Sequence, residues 1–326
     1  MNFRRLSRTH ERRYAQAGVS LVELMIAITL GLVAVGAAMS IFLANRKSFA
    51  LVEGLARVQE NARFAVDMLS RDIREAGGVV CGGSLTPVNI VPSGNAWATW
   101  DRGLVGDDWN SGFSAPTGSS PLQIANTDSL LLWSASSGGT PIQITQHTIN
   151  AVNNTGTFTA STTPGYTPDD VVTACDGSQL VTFVVGSVTN QTVSYSNGAS
   201  LTKAIAAGGF LNTLSAELWY VGQSTAGAAS SLRRISRSKT TGSTQNDEMV
   251  EGVTNMQIQY LLGDATGAPA ATTYVHAASV TDWTKVIAVR ITLTLATQDS
   301  VGSTGSANAS VSRNVPITVG IKRRML

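Results

Sequence analysis

Glu23 is the residue whose setting most demands chemistry. It stands one position before a run, Leu24 to Ala44, that contains no charged side chain. A carboxylate drawn into hydrocarbon costs on the order of a few kcal/mol unless a partner meets it or it reaches the interface, so this one is expected to seek an ionic partner. Other reactive groups are sparse. Of the three histidines, His10 precedes the apolar run, while His147 and His276 lie in polar surroundings with no metal-ligand neighbour in sequence; all three read as surface residues. No Gly-x-Ser-x-Gly elbow or phosphate-binding loop occurs, so no nucleophile stands out among the many serines. Asp169, Asp170 and Asp176 in PDDVVTACDGS are the one acidic grouping that could take a calcium ion, but they lack the alternation of an EF-hand. The reading is therefore no enzyme, no metal and no cofactor.

The run that follows Glu23 sets the organisation of the chain. About 21 residues at about 1.5 Å each just cover a bilayer core, whereas a secretory signal would have an apolar core of about 7–15 residues. Five arginines against Glu11 put the first 18 residues at +4, which leaves the rest of a chain of net charge +2 at −2. Positive flanks stay cytoplasmic, so residues 45 onward are expected outside the cytoplasm. There the two cysteines, Cys81 and Cys175, are most simply a disulfide, the alternative being two buried free thiols.

Beyond the membrane the pattern stays helical. Leu51, Leu55, Val58, Ala62, Val66, Leu69, Ile73 and Ala76 recur at steps of three and four, with Glu53, Arg57, Glu60, Arg63, Asp67, Arg71, Asp72 and Arg74 on the other faces. Gly77-Gly78 ends the pattern, so a helix of about 59 residues is predicted from Val19. Gly31 and Gly36 lie in its apolar half, where glycine permits close helix contact or bending. Ser84–Thr127 reads as a long irregular insert pinned by Trp97, Trp100 and Trp109. Strands are predicted at Ser129–Ser134, Ile142–Ile149, Leu180–Val188, Ser215–Val221, Leu232–Ser236, Val253–Leu262, Val286–Ala296 and Val315–Ile321, the last two forming a terminal hairpin across Gln298–Ser310. The fold class is α+β: a long N-terminal helix, half apolar and half amphipathic, packed on an antiparallel sheet with large inserts. Two basic groups, Arg233, Arg234, Arg237 and Lys239, and Lys322, Arg323 and Arg324, could contact a nucleic-acid backbone; on a chain of slightly negative remainder they read as solvated strand faces.

The string Gly18-Val19-Ser20-Leu21-Val22-Glu23 resembles the start of type IV pilin-like proteins, whose basic leader ends in Gly and whose mature helix carries Glu at its fifth position. The segment RVQENARFAVDMLSRDIREAGGVVCG, Arg57 to Gly82, is similar to the region after the membrane helix in minor pilins of the PilW family. Val250–Gly263 and Arg313–Arg324 resemble it more loosely. The mature chain would begin with Val19 where the family usually has Phe or Met. The resemblance implies cleavage after Gly18 by a membrane prepilin peptidase, N-methylation of Val19, and pairing of Glu23 with a neighbouring subunit's N-terminal ammonium. It also implies four regions: leader 1–18, membrane or filament-core half 19–44, amphipathic half 45–78, and a periplasmic β-rich domain 79–326. The implied role is structural, priming pilus assembly within a tip complex. The implied partners are other minor pilins, the major pilin, the prepilin peptidase, the inner-membrane assembly platform and a large adhesin-like tip protein. A GspJ-like pseudopilin of type II secretion shares this architecture, and a DNA-uptake minor pilin is the remaining alternative.

Overall fold

The computed structural model describes residues 18–82, 85, 87–92, 96–98, 100, 103–109, 122–135, 140–195, 201–225, 229–240, 245–264, 268–270, 272–297 and 311–321. The leader arginines and His10, much of the Ser84–Thr127 stretch, the hairpin connection after residue 297, and Lys322, Arg323 and Arg324 lie outside them.

One helix, α1 (Leu21–Glu75), opens the fold, two residues inside each predicted end. The chain divides into two compact units, residues 1–53 and 54–326. In the first, α1 is apolar all round, and its large side chains from Leu21 to Phe49 are exposed. In the second, α1 is amphipathic and buries Val58, Ala62, Ala65, Leu69, Ser70 and Ile73, the stripe expected from steps of three and four. Gly77 ends the helix at φ +74, where glycine carries no Cβ penalty, and its N–H donates to the Trp133 carbonyl at 2.7 Å.

The strands are β1 (Pro87–Asn89), β2 (Leu104–Asp107), β3 (Ser129–Ser134), β4 (Ile142–Asn150), β5 (Thr155–Ala160), β6 (Val171–Cys175), β7 (Leu180–Thr189), β8 (Thr192–Tyr195), β9 (Phe210–Thr213), β10 (Ser215–Gln223), β11 (Ser230–Arg237), β12 (Gln245–Glu251), β13 (Val253–Leu262), β14 (Val286–Ala296) and β15 (Ser312–Gly320). They form a five-stranded sheet in the order β12-β11-β10-β3-β2, a three-stranded sheet β13-β14-β15, and a seven-stranded assembly. The predicted terminal hairpin is the antiparallel pair β14–β15. Pro316 sits in β15, an edge strand, where a residue without an N–H is tolerated.

The amphipathic part of α1 shares one core with both smaller sheets: Leu69 and Ile73 lie with Leu130, Leu132, Trp219, Ile258, Val289, Ile291 and Ile317. The other face of the five-stranded sheet carries Leu131, Trp133, Leu218 and Tyr220, packed on Val79, Trp100, Val171 and Leu180. All six residues of β3 are consequently buried, which is why SLLLWS is a continuous apolar run rather than an alternating one.

The seven-stranded assembly stands beside the two smaller sheets as the second layer or large insert that the reading allowed for. Six of its strands close a ring, β4-β5-β8-β7-β6-β9, because β7 pairs with β6 through Leu180–Val184 and with β8 from Val185 onward. In the same way β4 pairs with β9 at Ile142 and Gln143, then with β5 from Ile144. Each change of partner coincides with a bulge, at Ile144/Gln146 and Val185/Ser187, the device that bends a strand around a barrel corner. The interior is filled by Phe158, Phe183 and Tyr195, with centroids 5.0 to 5.5 Å apart.

The Ser84–Thr127 stretch is not uniformly irregular, since it contributes β1, parallel to β7, and β2, antiparallel to β3. Trp100 is buried and Trp97 half-buried, its carbonyl accepting from the Trp133 indole, whereas Trp109 is exposed.

Candidate functional site

Gly18 and Val19 lie ahead of α1, and the Ser20 carbonyl accepts the first turn's hydrogen bond from the Leu24 N–H at 3.1 Å. Glu23 thus falls in the first helical turn, where a carboxylate is favoured by the unsatisfied N–H groups and dipole of the helix end. Its neighbours Val19, Leu21, Val22 and Leu24 are all more than half exposed. A Cβ built on Gly18 would meet nothing within 4 Å, and the same holds for Gly31 and Gly36, so packing within this chain does not require glycine at those positions. The helix is long and apolar enough to cross a membrane.

Cys81 and Cys175 are joined, with 2.00 Å between their sulfurs. The bond ties the segment after α1 to the last residue of β6.

The remaining candidates are drawn into the fold. Asp170 accepts from the Thr167 N–H and hydroxyl and pairs with Lys239 at 3.5 Å. Asp176, at the opposite end of β6, accepts from the amides of Ser178, Gln179 and Ala206. Burial alone would raise its pKa, but those donors hold it at about 2. The aspartates therefore do not converge, and among the described residues no group of three His, Cys, Asp or Glu could hold a metal ion.

His147 is half-buried and held by the fold, not a bland surface residue. Its ring stacks on Phe158 at 3.8 Å, Nδ1 accepts from the Ile205 N–H, and Nε2 lies 3.0 Å from the Tyr195 hydroxyl. Burial pushes its pKa down to about 4. The Arg233 group is not a solvated face either. Arg233 is 3% exposed and donates to Glu248, Asn246 and the Gln223 carbonyl, and Arg234 pairs with Glu217. With Lys239 also on Asp170, three of these four cations already have carboxylate partners.

Sequence reading also placed Asp72 on the solvent side of α1. It instead accepts from the Trp219 indole at 3.1 Å and lines the same hollow as Glu217, and burial, with Glu217 adding to it, pushes its carboxyl up to about 7. The available signal was its position three residues after Leu69 and four before Ala76, flanking the buried stripe.

Two family models match the chain. Residues 13–39 match the prokaryotic N-terminal methylation motif, and residues 218–322 match Type IV Pilus-assembly protein W. The first spans Gly18, Val19 and Glu23; the second runs from within β10 through β15 and leaves the six-stranded ring outside. No curated protein and no solved structure matches the chain.

Proposed function

We propose, from the matches to the N-terminal methylation motif over residues 13–39 and to Type IV Pilus-assembly protein W over residues 218–322, that this chain is a minor pilin, a structural subunit that primes type IV pilus assembly and takes its place in a tip complex with other minor pilins. The observation that carries this reading is the methylation-motif match over a helix whose first turn holds Glu23 and whose following residues are exposed and apolar. Cleavage follows Gly18, and Val19 becomes the N-methylated terminus. The helix anchors the subunit in the inner membrane with its β-rich part in the periplasm, as the basic leader directs. On bundling with the major pilin and other minor pilins, Glu23 meets a neighbour's terminal ammonium. Each charge alone in low dielectric carries a desolvation cost that pairing offsets, and this fixes the axial register of the helices. The prepilin peptidase, the assembly platform and an adhesin-like tip protein complete the partners, and the role requires no catalytic group.

The test is the intact mass and N-terminal sequence of membrane-extracted protein from a host with its own prepilin peptidase. A methylated Val19 start is expected; a Met1 or Asn2 start would remove the processing claim. In the same host Glu23→Ala is expected to abolish incorporation into pili, and deletion to remove surface pili rather than enzyme secretion.

A further inference from the structure

Residues 201–209, between β8 and β9, form no helix or strand, yet they are fastened to the six-stranded ring at several points. Leu201 and Ile205 are buried in the ring's own core with Phe158 and Tyr195. Ile144 of β4 exchanges backbone hydrogen bonds with Gly208 and Gly209, Gln179 donates to the Ala204 carbonyl, and the Asp176 carboxylate accepts from the Ala206 N–H. The Ile205 N–H donates to a side chain, His147 Nδ1 of β4, at 2.9 Å. This strap is therefore held at its centre by an imidazole nitrogen.

That bond fixes the state of the imidazole. A nitrogen that accepts carries no proton, so the single N–H of the neutral ring is on Nε2 and donates to the Tyr195 hydroxyl, 3.0 Å away. Phe158 of β5 stacks on the imidazole at 3.8 Å. Tyr195 of β8 is the titratable group that faces it, and burial pushes that phenol up to about 12, so it stays neutral. The ions that touch the strap have their own partners: the Ser178, Gln179 and Ala206 amides bind Asp176, and Lys203 donates to Ser178. Burial alone pushes His147 down to about 4.

We propose that His147 is an acid-released latch on this strap. A proton on Nδ1 turns the acceptor into a donor that confronts the Ile205 N–H, and residues 201–209 lift from the ring, baring Leu201 and Ile205. Lifting returns the imidazole to water and to its ordinary value of 6.5, so between there and about 4 the open form binds a proton that the closed form refuses. The closed form is favoured in full above pH 6.5 and loses ground as pH falls, by up to about tenfold per unit. Asp176, held at about 2, stays ionised and still accepts throughout that window, so the response belongs to His147. The latch lies in the second unit and does not depend on the pilus reading.

The test is amide hydrogen exchange of the full chain in detergent micelles from about pH 7.5 to about pH 4.5, corrected for the intrinsic pH dependence of exchange. Protection at Ile205 and Ala206 is expected to fall at least about tenfold across that range, while amides of β10 and β14 keep theirs. His147→Gln, whose amide offers an acceptor and a donor without titrating, should hold the strap and remove the fall. Where that variant does not fold, His147→Phe, which keeps an aromatic ring on Phe158 but has no acceptor, should leave Ile205 and Ala206 weakly protected at every pH. Constant protection of Ile205 in the unaltered chain, an equal fall in β10 and β14, a fall that survives in His147→Gln, or firm protection in His147→Phe would overturn the proposal.

Discussion

Ser134 and Ser215 face each other across adjacent strands β3 and β10, although residues 135–214 leave the sheet and return between them. Every strand described inside that excursion belongs to the six-stranded ring, and the ring has a core of its own built on Phe158, Phe183, Val193 and Tyr195. A closed base of this kind lets a module be carried between neighbouring strands without breaking their register. Native-state hydrogen exchange on the full chain should therefore sort the amides of β4, β5 and β8 into one opening unit, separate from and less protected than β3, β10 and β14. A single class of protected amides across ring and sheet would count against separate cooperativity.

The bond between Cys81 and Cys175 closes a loop with a sequence separation of 94. On chain-entropy grounds a loop of this size restricts the unfolded chain by up to about 4.6 kcal/mol, and measured losses usually fall at 2–5 kcal/mol. Cys81→Ser/Cys175→Ser should lower the denaturation midpoint correspondingly, and it should accelerate exchange in β6 and β7 more than in β14. Equal effects on both regions would mean that the crosslink acts on the whole unit.

Legibility in the sequence followed how local each cause was. Strands β3, β13 and β14 were read to the residue because apolar runs in β3 and β14, and alternation of apolar with polar residues in β13, meet clear turn residues. The ring's β5 and β8, TGTFTA and TVSY, are short and rich in Thr, Ser and Gly, and only cross-strand partners such as Phe158↔Val193 make them strands. Strand β12, QNDEMVE, looks like a polar loop until Asp247 and Glu248 stand opposite Arg234 and Arg233. The setting of Glu23 was visible because its chemistry comes from the residues beside it. That of Asp72 was hidden, because its partners Trp219 and Glu217 lie far away in sequence.

The pH dependence of Asp72 has a definite sign. Its folded pKa, about 7, lies above the ordinary value of 3.8. The folded state therefore holds a proton that the unfolded state has already lost between those values. The contribution to stability is full below pH 3.8 and declines as pH rises through 7. Asp72→Asn keeps an acceptor for the Trp219 indole and a donor for Glu217 without ionising. It should stabilise the chain at pH 8 by on the order of 1–2 kcal/mol, after discounting for partial exposure, and flatten the slope of stability between pH 4 and 7. A variant that loses stability at pH 8 would show that the ionised carboxylate is the favourable form.

Gly106 of β2 lies against the side chain of Tyr260 of β13. A Cβ on Gly106 would overlap the Tyr260 hydroxyl, which is fully buried and has no hydrogen-bond partner among the described residues. The ring is held from the other side by Trp283, edge-on at 4.9 Å, so it cannot retreat. Gly106→Ala should then cost about 1–3 kcal/mol through overpacking. Tyr260→Phe removes a polar group that gains nothing from burial and should be neutral or stabilising by about 1 kcal/mol. Combined, the substitutions should be less harmful than the sum of their single effects, because the nearest of the atoms that meet the new methyl is gone, although the Tyr260 Cζ behind it still crowds the site. Thermal or urea unfolding of the four proteins measures this coupling. Strict additivity would mean that the alanine is opposed by the ring carbons of Tyr260 and not by its hydroxyl, and a destabilised Tyr260→Phe would reveal a hydrogen bond that the hydroxyl makes in solution.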